Sequence, residues 1–234
     1  MLKILKQRRN MIISAVALVA VVVSVVFIIT ACRRDPLRSV LRHVSEIQYS
    51  VWTGSNTDYT VSVVTGRRET PFNIDGRSTA TMTDFTVITM TPTNRPEAEQ
   101  TFTFTLTVAN NNFNGTFVTN PFGDNFFADL SQMLGQHASI AIRIVMGEDT
   151  QNITLQQQNT SEMITGYEVL EIAQREFSQL FENINFEILI KFVQDPLGAK
   201  DTFFWYIALV NAENQFNALL INPITREIVA RKTT

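Results

Sequence analysis

The segment TFTFTLTV, residues 101–108, alternates without exception: Phe102, Phe104, Leu106 and Val108 on one side, four threonines on the other. A period of two is the repeat of a β-strand, and a helix would scatter the same residues around its circumference. One face therefore packs into a core and the other stays wet, the pattern of an antiparallel sheet. The same pattern recurs along the chain. Residues 47–53 and 59–65, rich in β-branched and aromatic side chains and separated by GSNTD, read as a hairpin. Residues 82–91 form a further strand, and the NNNFNG turn sends residues 113–119 back along TFTFTLTV. Ile140, Ile142, Ile144 and Met146 alternate again. Between them, Phe126, Phe127, Leu130, Met133 and Leu134 recur at helical spacing and predict a helix over 124–134. Residues 147–161 are polar and Gln/Asn-rich, with only a short strand at 153–155, and the internal boundary is placed at their end.

Beyond that boundary, Tyr167, Leu170, Ala173, Phe177, Leu180, Phe181 and Ile184 mark one stripe of a helix. Strands follow at 186–193, 203–210 and 215–221, with a short fourth at 227–230. FFWYIALV is apolar on both faces and belongs near a sheet centre. A helix followed by an antiparallel meander predicts an α+β fold class. The expected chain order is an N-terminal membrane segment, an antiparallel β-rich domain over 47–156 and a helix-plus-sheet unit over 157–234.

At the N-terminus, Lys3, Lys6, Arg8 and Arg9 precede an apolar run over 11–31 broken only by Ser14, Ser24 and Thr30. As a helix such a run is about 30 Å long, enough to cross a bilayer. Basic residues also follow it (Arg33, Arg34, Arg38, Arg42), so charge alone leaves its orientation open. Its end, Ile29-Thr30-Ala31-Cys32, resembles the bacterial lipobox, and the resemblance implies cleavage before Cys32 and lipidation of that cysteine. Residues 1–31 are therefore either a lipoprotein signal peptide or an uncleaved transmembrane anchor. Both alternatives set the folded part on the outer face of a bacterial membrane. Residues 32–46 form the juxtamembrane linker, with a short amphipathic helix over 36–46 carrying Leu37, Val40, Leu41 and Val44 on one face.

The chain has one cysteine, which rules out an intramolecular disulfide and thiolate metal clusters. A net charge of −3 and the lack of a basic stripe argue against nucleic acid as a partner. His43 and His137, the only histidines, have no metal-ligand companion at helical spacing. No HExxH, GxSxG, P-loop or GxGxxG motif occurs. Glu148 and Asp149 adjoin in a polar turn, and Asp195 and Asp201 bracket PLGAK without calcium-loop spacing. Arg67, Arg68 and Arg77 surround Pro71-Phe72 and Asp75-Gly76 and offer two basic loops for an anionic group. No catalytic residue, metal site or cofactor is expected, and no ligand-binding residue is identified.

Residues 166–232, with YEVLEIAQREF in the helix and FNALLINPITREIVARK in the last strands, resemble the PepSY-like family of small extracytoplasmic α+β modules. Asn222-Pro223 stands in place of that family's acidic and small residues, and Arg226 in place of its turn glycine. The resemblance implies a binding or regulatory module linked to extracytoplasmic protease control, with no catalytic residue to carry across. The function expected from the sequence is a membrane-anchored, non-catalytic binding or structural lipoprotein. A regulatory module acting on a secreted or cell-surface enzyme is the alternative. The partners are the membrane and another cell-surface protein.

Overall fold

The computed structural model describes residues 36–79, 81–94, 101–121, 123–195 and 202–233. The chain divides into two compact units, Met1–Leu41 and Arg42–Thr234. The described part of the first is the short helix α1, Pro36–Leu41. The expected helix over 36–46 thus ends five residues early, because from Val44 the backbone is already paired as β-strand. The apolar run, Ile29, Thr30, Ala31 and Cys32 lie outside the described residues. Among the described residues no helix is long and apolar enough to cross a membrane.

The second unit is built on β1, Val44–Ser55, a 12-residue strand. One edge pairs antiparallel with β2, Tyr59–Glu69, which continues to β3, Met82–Pro92. β4, Thr103–Val108, and β5, Asn111–Thr116, form the hairpin expected at NNNFNG. One residue later the same stretch resumes as β6, Val118–Thr119, now paired with β7, Phe126–Leu130, which pairs with β3. β8, Ser139–Met146, lies between β4 and β9, Asp149–Gln157, and β9 returns to β1.

With β5 and β6 taken as one bent strand, the ladder runs β1-β2-β3-β7-β5/6-β4-β8-β9 and back to β1, an antiparallel barrel of eight strand positions. An eight-stranded barrel has an interior that side chains can fill. Trp52, Phe102, Leu106, Ile88, Met90, Ile142, Ile144 and Leu155 fill it, each under 2% exposed. The threonines of TFTFTLTV face outward, where Thr105 and Thr107 donate to Asn114 and Asn112 across the hairpin at 2.7 and 2.9 Å.

From β9 the chain crosses over through α2, Gly166–Glu176, and α3, Ser178–Glu182, to β10, Phe186–Gln194. β10 runs parallel to β1, and a parallel pair needs a crossover of this length. β11, Phe203–Asn211, β12, Phe216–Ile221, and β13, Ile228–Thr233, complete an antiparallel meander. α2 lays Val169, Leu170 and Ala173 on its inner face. Gly166 lets the helix approach the sheet, since a Cβ there would stand 3.2 Å from Ile47 and 3.3 Å from Ile190. Trp205 fixes the approach by donating from Nε1 to the Ile164 carbonyl at 2.8 Å.

The α+β class expected from the sequence is overturned. Among the described residues strands dominate and the three helices are short, with all thirteen strands in one antiparallel-dominated, near-barrel sheet. Two misread segments account for much of the difference. Residues 124–134 hold the strand β7, where Phe126 and Ala128 enter the barrel and Phe127 and Asp129 point away. Tertiary pairing with β3 outweighs the helical spacing of that cluster. The polar segment expected to hold only a three-residue strand is the nine-residue β9, an amide-rich strand with Ile153 and Leu155 turned inward. The long helical stripe also breaks at Phe177, leaving Tyr167 and Leu180 exposed.

Candidate functional site

β1 has two different partners along one edge. Val44, Glu46 and Ile47 pair with β10, whereas Trp52 and Thr53 pair with β9. Over residues 48–51 the two partner strands diverge and neither pairs with β1. A parting of neighbouring strands opens a crevice, and such crevices are recurrent ligand sites in sheets.

Side-chain amides stand in for the missing strand. Asn159 donates from Nδ2 to the Tyr49 carbonyl and accepts at Oδ1 from the Val51 N–H at 3.0 Å. Gln48 accepts at Oε1 from the Phe192 N–H at 2.9 Å. These bonds satisfy a backbone that would otherwise be left unpaired in a partly buried position. The opposite edge of β1 is irregular at the same point. A β-bulge leaves Tyr49 without a partner between Gln48↔Gly66 and Ser50↔Thr65. Bulges re-aim side chains. Gly66 makes room for this one, since a Cβ there would stand 2.2 Å from the Ile47 carbonyl oxygen.

The result is a cleft of about 820 Å³ between the barrel and the N-terminal turn of α2. Tyr49 and Tyr167 face one another across it, sharing a hydrogen bond of 3.2 Å with ring centroids 6.4 Å apart. Burial first, and then the bond to Tyr167, hold the Tyr49 phenol well above the usual tyrosine range. It is therefore a neutral hydrogen-bonding group at physiological pH. Met133 and Met163 give the cleft an adaptable apolar part, and Gln136, His137 and Gln157 a polar one. None of the lining side chains is Asp, Glu, Lys or Arg. The arrangement is suited to holding an uncharged ligand or chain segment.

The residues singled out in the sequence fall elsewhere, with one exception. His137 lines the cleft, and its carbonyl accepts from Trp52 Nε1 at 2.7 Å. His43 lines a separate cleft of about 340 Å³ beside Arg77 and Glu213, and burial, followed by the Arg42 charge, lowers its pKa. Arg67 and Arg68 are brought together in a groove of about 600 Å³, without Arg77. Each is paired at home, Arg67 with Asp84 at 3.3 Å and Arg68 with Asp129 at 3.0 Å. Arg68 also lies 4.8 Å over the Phe85 ring. Glu148 and Asp149 sit exposed at the β8–β9 turn, where Gln151 donates to Asp149 at 3.3 Å. Asp195 caps the end of β10 through its N–H to the Thr202 carbonyl at 2.8 Å, while Asp201 lies outside the described residues. Among the described residues no three His, Cys, Asp or Glu side chains are grouped to hold a metal.

Sequence reasoning missed Tyr49, Tyr167 and Asn159 as a site. Their one local signal is Gly66 within a β-branched strand, since glycine there marks a bulge or a close backbone approach. It also missed three buried carboxylates, Glu46, Glu69 and Glu187. Comparisons with protein families, with curated proteins and with solved structures gave no match.

Proposed function

We propose that this protein is a binding protein held on the outer face of a bacterial membrane, which engages an uncharged partner segment through the cleft at the parting of β9 and β10. The observation that carries the reading is the cleft itself: large, lined by two tyrosines, two methionines and amide side chains, and free of charged ones. Attachment rests on the sequence, where the sole cysteine ends a long apolar run at a lipobox-like position. Two acyl chains at Cys32 would give stable anchoring.

Metabolic labelling with a fatty acid tests the anchor. Label is expected in the native protein and absent from Cys32→Ala, which also keeps its uncleaved mass. Equal labelling and equal size would leave the apolar run itself as the anchor. For the cleft, Met133→Glu places a charge at an exposed position of the wall without touching the core. It is expected to reduce recovery of crosslinked partner from intact cells, and unchanged recovery would remove the cleft from the interaction.

The succession of α2, α3 and the β10–β13 meander favours a second reading, a PepSY-like regulatory module acting on a secreted or cell-surface enzyme. Co-purification of the anchored full chain with a hydrolase whose activity it alters would support it. Partners lacking any enzyme would count against it.

A further inference from the structure

We propose that residues 70–79 form a proton-dependent strap, held over the outer face of β10–β12 by a protonated Glu187 and released when that carboxyl ionises. This inference is independent of the binding cleft and concerns the opposite face of the meander.

Alternation along β10 puts Ile188, Ile190 and Phe192 on the α2 side and Glu187, Leu189 and Lys191 on the other. On that second face Leu189, Ala208, Val210 and Ala218 form a buried apolar cluster, with Phe72 of the strap packed against it. The Phe72 ring also lies 5.8 Å from the Lys191 ammonium. Gly76 fixes the far end of the strap. It takes φ 79° and comes so close to the β11–β12 turn that a Cβ would stand 2.1 Å from the Ala212 nitrogen.

Two buried carboxylates hold the strap by its backbone. The Gly76 N–H donates to Glu187 Oε1 at 2.7 Å, and the Thr79 N–H donates to Glu69 Oε2 at 2.7 Å. Glu187 is 0% exposed and Glu69 1% exposed. The second oxygen of Glu187, Oε2, has no hydrogen-bond partner, and neither has the buried Ser45 hydroxyl beside it on β1.

The charged groups that face Glu187 do not favour its ionised form. Glu69 from β2 and Asp75 from the strap carry like charge. The cations of this face are engaged, Lys191 with Glu46 at 3.1 Å and Arg68 with Asp129 at 3.0 Å. His43, Arg77 and Glu213 line the adjoining cleft. A proton on Oε2 removes the buried charge, while Oε1 still accepts from Gly76. Burial accordingly raises the Glu187 pKa, ahead of the opposing pull of the Gly76 N–H and of the neighbouring Ser45 hydroxyl.

The sign follows from linkage. A carboxyl whose pKa is higher in the closed form stabilises closure fully below its open-state pKa, and that contribution is lost as pH rises through the closed-state value. Between the two values the opening equilibrium rises about tenfold per pH unit, the slope of a single proton.

Amide hydrogen exchange of the full-length protein between pH 5 and 9 tests the latch, with Glu187→Gln compared at each pH so that intrinsic exchange cancels. Glutamine reproduces the protonated carboxyl, accepting from Gly76 without a charge. The ratio of native to E187Q exchange at Gly76 and Thr79 is expected to climb with pH at that slope, while amides of β8 show no such trend. A ratio flat across the range overturns the proposal. Ser45→Ala provides a second test that does not depend on the folding of E187Q. Loss of a hydroxyl that opposes the rise is expected to move the onset of strap exchange to higher pH, and an unmoved onset would equally overturn the latch.

Discussion

Tyr49 is aimed into the cleft by one extra residue in β1, and that extra residue is tolerated because position 66 has no side chain. Gly66→Ala would push a methyl group onto the Ile47 carbonyl and force the bulge out of register. A loss of about 3 kcal/mol is expected in urea unfolding. Asn159→Ala would leave the Tyr49 carbonyl and the Val51 N–H without partners in a half-buried position, with an expected cost of about 2 kcal/mol. The tyrosines offer a pH-dependent readout. Burial raises the pKa of Tyr49, Tyr59 and Tyr206, so three of the four phenols in the chain titrate above the ordinary range. Phenols whose folded pKa is raised stabilise the fold below their unfolded value near 10 and lose that contribution as pH rises beyond it. Ultraviolet titration is expected to show these three ionising late, together with alkaline unfolding. Tyr49→Phe should leave the remaining late phenols unchanged.

At the scale of elements, α2 shows which local signals survive folding. Thr165 caps its N-terminus in a capping box: the Glu168 N–H donates to the Thr165 hydroxyl, and the Thr165 N–H donates back to the Glu168 carboxylate at 2.8 Å. Thr165→Ala is expected to lower stability by about 1 kcal/mol in thermal or urea unfolding. The Thr165 backbone bond, followed by its hydroxyl and the Arg226 charge, lowers the Glu168 pKa. The stability this gives is present above the unfolded carboxyl value and lost as pH falls through the folded one. Any advantage of the native protein over Glu168→Gln should therefore vanish in acid. The same scale shows where periodicity misleads. Phe126, Phe127, Leu130 and Met133 fit a helix, yet β7 forms because β3 and β6 present open edges on both sides of it. In β9, Asn152 and Gln156, which help give the segment its polar composition, lie on the wet face of a barrel strand. Arg226 has a φ of 66°, the left-handed conformation that glycine adopts more readily than other residues.

For the molecule as a whole, β1 belongs to the barrel and to the helix–meander half at once, through β9 and β10 on the same edge. The two halves cannot lose β1 separately. The two tryptophans of the chain report one half each, Trp52 inside the barrel and Trp205 against the Ile164 carbonyl under α2. Single-tryptophan variants Trp52→Phe and Trp205→Phe, followed by fluorescence in denaturant, are expected to give coincident transitions for each variant by fluorescence and far-ultraviolet dichroism. A tryptophan signal that changes well before the loss of secondary structure would show that the halves unfold apart.

The local pieces were legible in the order of residues alone. Strict alternation placed β4 and β8, β-branched and aromatic runs about GSNTD placed the β1–β2 hairpin, and the long stripe with the strands after it placed α2 and β10 to β12 in order. Each of these depends on contacts within a few residues of one another, or on one face being apolar throughout. Tertiary structure decided what periodicity cannot encode: that β5 and β6 bend to close a barrel, that β1 changes partner midway along one edge, and that Glu187 comes to lie beneath a strap. The cleft exists only because two strands remote in sequence part at the same place, and no spacing within either strand records their meeting.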